Sequence, residues 1–449
     1  MRPATRQSHP QRTAHRLVDR LVRAALAAAD PQLALRQAVK RVGAVVQVGV
    51  RRYDLRAYDR VVAVGAGKAS AKMAAALERC LGSRFEGGQI VVKSGYASPT
   101  KTIEVLEAGH PVPNRAGQRG AARLMALLNN LSHRDLVFVL LSGGASSLLP
   151  APAAGLTLSD LRQTTRLLLA CGASIQEINT VRKHLSALQG GRLAAATKAR
   201  VVSLILSDVL GDDLGSIGSG PTAPDATTYA DASEILRRHE IYRSVPVEVR
   251  NHLQAGCRGE RDETPKPGTA LFRRVQNQII GNNAGAVQAV ARAARQAGFH
   301  TLNLTTRLTG EAREAAKWFG AIAKEIAATG KPVRRPACVV AGGELTVTVK
   351  GRGLGGRAQE FALAAAMEIA GLPNVWIAAF GTDGTDGPTD AAGAHVGGDT
   401  VLRATRLGLD PMAMLARNDS YGFFKKVGGH LRTGPTGTNV NDLYILLAL

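Results

Sequence analysis

Lys68 stands at the turn between a predicted strand and a predicted helix, in residues 61–73. Valines favour the strand, Gly65 and Gly67 permit a tight turn, and the alanines after Lys68 favour the helix. The free amides at a helix start and the helix dipole attract negative charge, and a lysine places a cation beside it. The stretch therefore predicts an anion-binding turn, although it lacks the spacing of a Walker motif. An ordinary turn with a solvated lysine is the alternative.

A second loop of small residues, 142–147, follows the apolar run 136–141 that predicts a buried strand. Its two glycines and three serines would expose backbone amides in a turn that suits phosphate oxygens. A nucleophilic serine is the alternative, but Ser146 stands outside a GxSxG pattern and has no clear histidine partner. We therefore expect this loop to contact phosphate.

Asp208, Asp212 and Asp213 follow the next predicted strand, residues 200–206. Their hard carboxylate oxygens suit Mg²⁺, which usually takes one or two carboxylates together with waters and phosphate oxygens. A turn or helix cap formed by the same aspartates is the alternative. The sequence thus offers a candidate magnesium site just beyond a strand end.

The sharpest feature of the second half is the glycine-rich run 350–357, which ends at Arg357. Glycine is costly in conformational entropy, so its repeated use fits a backbone that approaches a ligand closely. Arg357 would begin a helix, where its guanidinium could bind a carboxylate or phosphate through two hydrogen bonds. An arginine salt-bridged between domains is the alternative. Asp383 and Asp386, in a repeated Thr-Asp-Gly, could order substrate hydroxyls or act as a base, or form plain turns.

Apolar strands alternate with helical stretches along the chain, which predicts an α/β fold. The first domain is expected to be a Rossmann-like parallel sheet covered by helices on both faces, with ligands at the carboxyl ends of its strands. Residues 17–45 show the apolar spacing of helices. A polar segment with two prolines, 258–268, marks a domain boundary, and a strand at 276–280 opens a second α/β domain. We assign 1–16 to a basic extension expected to be disordered, 17–262 to the first domain and 268–449 to the second.

The chain has 449 residues and a formal net charge of +22, with the basic excess toward the front. Residues 1–60 carry 13 Lys and Arg against 4 Asp and Glu, whereas 341–449 carry 9 against 10. Basic arms bind nucleic acid or acidic membranes nonspecifically, but no zinc-finger, RNP-like or basic-heptad pattern accompanies this one. The four cysteines lack metal-ligand spacing, and no apolar run reaches the roughly 18 residues of a membrane span. These features argue against a nucleic-acid-binding, disulfide-stapled or membrane protein.

A series of ordered motifs resembles the glycerate 2-kinases, the family with a C-terminal domain called MOFRL and with hydroxypyruvate reductase as an older label. The motifs are VGAGKAS (64–70), HPVPN (110–114), LLSGGASSLL (140–149), INTVRKHLSALQGGRLA (178–194), SDVLGDDLGSIGSGPTAPD (207–225), GNN (281–283), GGELTVTVKGRGLGGRAQE (342–360), GTDGTDGPTDAAGA (381–394) and TGPTGTNVNDLYI (433–445). The resemblance runs from about residue 17 to 449 and places the MOFRL region at about 335–445.

This resemblance implies an ATP- and Mg²⁺-dependent kinase that phosphorylates D-glycerate at its 2-hydroxyl, in a cleft between the two domains. Lys68 and Arg357 match the family's active-site lysine and arginine. We expect Lys68 to steady the transferring phosphate and Arg357 to hold the glycerate carboxylate or the phosphate. Asp208 and Asp212 are the expected metal ligands. The expected nucleotide contacts are Gly65, Gly67, Ser142, Gly143, Gly144, Ser146, Ser147, Asn282 and Asn283, and the expected substrate contacts are Lys68, Arg357, Asp383 and Asp386.

Two other functions stay open at this point. An NAD(P)-dependent hydroxypyruvate reductase would use a GxGxxG turn, but Ser70 occupies the place of its third glycine or alanine. A nonenzymatic basic binding protein is the other. We expect a cytoplasmic enzyme. The Arg-rich residues 1–16 leave a mitochondrial location open, and a homo-oligomer is open as well.

Overall fold

The computed structural model describes residues 9–449, with side chains from residue 15 onward. Its α-helices are α1 (His9–Ala29), α2 (Pro31–Ala38), α3 (Ser70–Leu81), α4 (Arg115–Asn129), α5 (Ala145–Leu148), α6 (Leu158–Ala170), α7 (Ile175–His184), α8 (Arg192–Ala195), α9 (Tyr229–Arg238), α10 (Val247–Cys257), α11 (Asn283–Gln296), α12 (Ala312–Thr329), α13 (Arg357–Glu368), α14 (Thr400–Arg406), α15 (Pro411–Ala416) and α16 (Ser420–Val427). Its strands are β1 (Val39–Val42), β2 (Val45–Val48), β3 (Arg51–Asp54), β4 (Val61–Ala66), β5 (Gly87–Lys93), β6 (Ile103–Ala108), β7 (Leu136–Leu141), β8 (Arg200–Leu206), β9 (Val275–Gly281), β10 (His300–Leu308), β11 (Ala337–Gly343), β12 (Val375–Gly381), β13 (Gly393–Gly397), β14 (His430–Leu431) and β15 (Asp442–Ala448). No helix in this part of the chain is long and apolar enough to cross a membrane.

The described chain divides into two compact units, a first unit of residues 31–280 and a second unit of residues 9–30 with 281–449. This division corrects the predicted domains 17–262 and 268–449. Helix α1 packs on α11 within the second unit, and β9 joins the sheet of the first. The proline-containing segment is therefore a surface connection inside the first unit, because the strand that follows it completes that unit's sheet.

The predicted disordered extension is wrong where the structure describes it. Residues 9–16 form the start of α1, and residues 1–8 lie outside the described residues. The predicted helical stretch 17–45 holds only as far as the end of α2. Beyond it, β1, β2 and β3 form an antiparallel sheet, with Val42 and Val45 paired across a turn that holds Gly43 at a φ of 59°. Branched valines lose side-chain freedom in a helix and favour strands.

The first unit is built around a six-stranded sheet in the order β6-β5-β4-β7-β8-β9. The pairs β5 with β6, β4 with β5, β4 with β7, and β7 with β8 are parallel. Every residue of β4 and β7 is buried, as expected of central strands covered on both faces, whereas the edge strand β6 is partly exposed. The predicted Rossmann-like sheet is confirmed. Strands β4, β7 and β8 end side by side at its carboxyl edge.

The second unit contains a mixed six-stranded sheet in the order β10-β11-β15-β12-β13-β14. Strands β10 and β11 are parallel, whereas β15 pairs antiparallel with both β11 and β12. All residues of β15 are buried, and the Phe319, Phe361 and Tyr444 rings meet in the core that covers it. A second α/β domain is confirmed. Residues 344–349 contribute one isolated bridge, between Thr346 and Glu311.

Candidate active site

The turn after β4 and the serine loop (residues 142–147) after β7 are bonded to each other at the carboxyl edge of the first sheet. The Lys68 amide donates to the Gly143 carbonyl oxygen at 2.9 Å. The Ala69 amide donates to Ser142 Oγ at 3.0 Å. Neighbouring parallel strands end at one edge, so their loops meet there. The structure therefore brings together two of the loops that the sequence marked for phosphate binding.

The glycines of the first turn face the serine loop. A Cβ at Gly65 would collide with the Leu140 backbone, and one at Gly67, whose φ is 138°, would collide with Ser142. This packing, together with the occupied amides, corrects the expectation that free amides of the turn bind an anion. The group that the turn offers to a ligand is the side chain of Lys68.

Lys68 and Lys93 both lie near His110, and the sequence interpretation gave neither Lys93 nor His110 a role. The His110 ring packs on Gly144, where a Cβ would meet it. Burial, assisted by the charges of Lys68 and Lys93, lowers the pKa of His110 to about 4. The imidazole is therefore neutral near pH 7, next to two cations. Lys93 ends β5 at the same sheet edge, which is the signal that could have identified it.

The hydroxyls of the serine loop are engaged within the protein. Ser142 is buried, and Ser147 Oγ donates to the Gly144 carbonyl oxygen at 3.1 Å. Ser146 Oγ is bonded to Arg182, Gln189 and Ser219. These partners include no histidine or carboxylate that could take a proton from Ser146. The geometry therefore gives the nucleophilic serine no support, and phosphate contact by this loop stays a prediction.

Of the three aspartates after β8, Asp208 packs directly against the serine loop. Its carboxylate fills the space that a Cβ at Gly143 would take. Asp212 has a φ of 58° in a turn, and Asp213 accepts hydrogen bonds from the residues just after it. The described residues hold no group of three or more His, Cys, Asp or Glu suited to a metal. Mg²⁺ needs only one or two protein carboxylates, and Asp208 fits that need.

Arg357 begins α13, as predicted, and its guanidinium is ion-paired within the second unit. Nε and NH2 donate to the two carboxylate oxygens of Asp442 at 2.5 and 3.1 Å, and NH1 donates to Glu344 at 2.7 Å. Burial lowers the pKa of Arg357, but the two carboxylates raise it overall. The sequence interpretation missed both partners. The alternative was an arginine salt-bridged between domains. Both ion-pair partners of Arg357 instead lie in its own unit.

Arg357, Asp383 and Asp386 line one cavity of about 710 Å³ in the second unit. This volume is in the range of nucleotide-sized ligands. Asp386 accepts the amides of Ala358 and Gln359 at 3.0 and 2.8 Å, so both of its oxygens are bonded to the start of α13. Asp386 thus holds the helix that carries Arg357, which leaves Asp383 as the partly exposed carboxylate of the pair.

The two asparagines assigned to nucleotide binding lie in the second unit. Asn282 Oδ1 accepts the Gly285 amide at 2.8 Å and caps α11. Asn283 Nδ2 donates to the Val440 and Asp442 carbonyl oxygens at 2.9 and 3.1 Å. Because Asn283 is buried and fixes the start of β15, its geometry is that of a structural residue.

Comparisons with known proteins agree with this architecture. A domain of unknown function, DUF4147, matches residues 17–254, and the MOFRL family matches residues 337–442. A glycerate 2-kinase of Pyrococcus horikoshii is 45% identical over 429 residues, covering 95% of this chain and 96% of that protein. A D-glycerate 2-kinase of Thermotoga maritima is 44% identical over 389 residues, 86% of this chain and 90% of that protein.

The fold agrees as well. The crystal structure of glycerate kinase from Thermotoga maritima matches with a TM-score of 0.88 at 40% identity, covering 98% of this chain and 100% of that one. Similarity of this extent includes both units and the loops described above. The chain belongs to the glycerate 2-kinase family that carries the MOFRL domain.

Proposed function

We propose that the chain transfers the γ-phosphate of ATP to the 2-hydroxyl of D-glycerate, giving 2-phosphoglycerate and ADP. Lys68, held against the serine loop at the carboxyl edge of a parallel sheet, is the observation that carries this proposal. Phosphoryl transfer needs positioning and charge neutralisation rather than covalent chemistry from the protein. Lys68 and Lys93 supply positive charge there, and relatives that share nearly the whole chain are named for this activity.

The two predicted catalytic residues take different parts in this proposal. Lys68 steadies the transferring phosphate. Arg357 is anchored by Asp442, whose side chain is 3% exposed, and its other carboxylate partner, Glu344, is 45% exposed. A substrate phosphate takes the place of Glu344 on the guanidinium, because exchange of an exposed partner costs little. Location of both residues in one inter-domain cleft stays a prediction.

Mg²⁺ is the proposed metal, with Asp208 as its protein ligand and Asp212 as the second candidate. The Asp208 carboxylate lies against the serine loop, which supports a site where phosphate and carboxylate oxygens are both within reach. When bound, Mg²⁺ would neutralise charge on the phosphates of ATP. Asp383 is the proposed contact for the substrate hydroxyls.

The NAD(P)-dependent reductase receives no support from the turn that would have to bind its cofactor. In a dinucleotide site the amides of this turn bind the pyrophosphate and its glycines make room for it. Here the Lys68 and Ala69 amides donate to the serine loop, and Gly67 makes room for Ser142.

Two assays on one preparation test the proposed reaction. ADP release should depend on D-glycerate when ATP and Mg²⁺ are present. In parallel, hydroxypyruvate should not cause NADH or NADPH oxidation. Absence of glycerate-dependent ADP release, together with oxidation of the reduced cofactor, would replace the kinase by the reductase.

A further inference from the structure

A second cavity, of about 60 Å³, lies in the first unit and is lined by residues of three sequence motifs, two of which have no function assigned above. They are Pro111 and Pro113 of HPVPN, Ser146 and Ser147 of the serine loop, and Arg182 and Gln189 of the motif at 178–194. A buried water needs roughly 10–15 Å³, so this cavity holds a few waters or one small acid. A nucleotide, which needs several hundred Å³, does not fit.

Arg182 brings a cation to this cavity without a matching acid. Within the part of the chain that the structure describes, its guanidinium forms no ion pair. NH1 donates to Ser146 Oγ and to Asn179 Oδ1, each at 3.2 Å. Burial lowers the pKa of Arg182, with no carboxylate to oppose the shift. A desolvated charge is costly unless it is paired, so this arrangement favours an anion from outside the chain.

A polar network fixes the guanidinium in place. Gln189 Nε2 also donates to Ser146 Oγ, at 3.1 Å, so both lone pairs of that oxygen are used. The Ser146 proton therefore points to Ser219 Oγ at 3.0 Å, while Ser219 donates to Asn179 Oδ1 at 3.0 Å. The network holds NH1, and the other N–H groups of Arg182 have no partner among the described residues. A guanidinium held this way can bind a carboxylate through two hydrogen bonds.

Arg357 differs from Arg182 in this respect, because two carboxylates of the chain, Asp442 and Glu344, already pair with its guanidinium. We infer that Arg182 binds the carboxylate of the acceptor acid, and that the apolar cavity walls limit that acid to a small one. The inference rests on the proposed kinase function and assigns the site of its acceptor. A phosphate group is the other oxyanion that this guanidinium could bind, so the test must separate the two.

Isothermal titration calorimetry without turnover gives that separation. The dissociation constants of D-glycerate, ATP and inorganic phosphate are measured for the wild type, Arg182→Gln and Arg182→Lys. Arg166→Gln, at an exposed arginine of α6, is the matched control. Loss of a charge-assisted bond should raise the D-glycerate constant by about 10- to 100-fold in Arg182→Gln, and KM for glycerate should rise with it. Arg182→Lys keeps the charge but loses the planar fork, so its dissociation constant for D-glycerate should lie between those of the wild type and Arg182→Gln. The dissociation constant of ATP should stay unchanged in both variants.

Unchanged D-glycerate affinity in both Arg182 variants would overturn the inference. Weaker binding of ATP or phosphate instead of D-glycerate would also overturn it, because the anion held would then be a phosphate. Circular dichroism identifies a misfolded Gln variant, in which case the Lys variant decides. A wrong kinase assignment would show itself differently, as wild-type protein that binds D-glycerate but releases no ADP.

Discussion

At the scale of single residues, the candidate catalytic residues of the two units include two kinds of cation. Lys68 and Lys93 flank a neutral His110 and form no ion pair among the described residues. Arg357 is held by Asp442 and Glu344. An unpaired lysine can follow a moving phosphate, whereas a clamped arginine keeps a fixed direction. We therefore assign the larger share of charge neutralisation during transfer to Lys68.

Lys68→Ala should lower kcat by about 100- to 1,000-fold, because a positive group at the transferring phosphate is lost. Steady-state kinetics with ATP and D-glycerate measure the effect, and circular dichroism should show an intact fold. Lys198→Ala, at an exposed lysine of the same unit, is the control and should keep the full rate. Near-normal turnover in Lys68→Ala would remove Lys68 from the reaction.

At the scale of elements, the site depends on two turns that interlock beyond β4 and β7. Their contact requires glycine at position 67, since any side chain there would push the serine loop away. The same displacement would move Lys68, whose amide is bonded to that loop. Stability and activity are therefore coupled at this turn.

Gly67→Ala should lower both the free energy of unfolding and kcat. Gly95→Ala is the matched control, because Gly95 also has a positive φ, of 82°, but has no atom near its Cβ position. In Gly95→Ala the free energy of unfolding should fall only through backbone strain, by about 1 kcal/mol, and the activity should be kept. Overpacking against Ser142 should add about 1–3 kcal/mol in Gly67→Ala. Urea unfolding with parallel rate measurements gives the comparison. Equal losses of unfolding free energy and of kcat in the two variants would show that the contact between the two turns contributes to neither stability nor activity.

The elements differ in how far the sequence predicts them. Strands β4, β7 and β8 were predicted well because central parallel strands are buried on both faces and read as continuous apolar runs. Strand β9 was assigned to the wrong unit, since sheet membership depends on pairing with distant strands. The partners of Arg357 could not be predicted either. Asp442 is 85 residues away in sequence, and only the meeting of β15 with α13 brings the two side chains together.

At the scale of the whole molecule, two units each have their own sheet and core, and both contain histidines shielded from water. Burial is the main cause that lowers the pKa of His110, His395 and His430 to about 4 in each case. Histidine in an unfolded chain has a pKa of about 6.5. Between these values the unfolded chain binds more protons than the folded protein, so stability rises with pH across this window.

The urea midpoint should therefore fall as pH is lowered from 7 through 6.5 toward 4. Unfolding curves at pH 7, 5.5 and 4.5 measure the change. His430→Gln should show a shallower fall than the wild type, because one shielded imidazole is gone. His133→Gln, at an exposed histidine, is the control and should follow the wild type. A midpoint that stays level down to pH 4.5 would contradict the role of the shielded histidines.

The position of the transferred phosphate tests the central claim most directly. Phosphorus NMR of a mixture of the protein, D-glycerate, ATP and Mg²⁺ should show 2-phosphoglycerate forming in step with ADP, and Lys68→Ala should slow the appearance of both by about 100- to 1,000-fold. Product phosphorylated only at the 3-hydroxyl, or no phosphorylated glycerate at all, would contradict it.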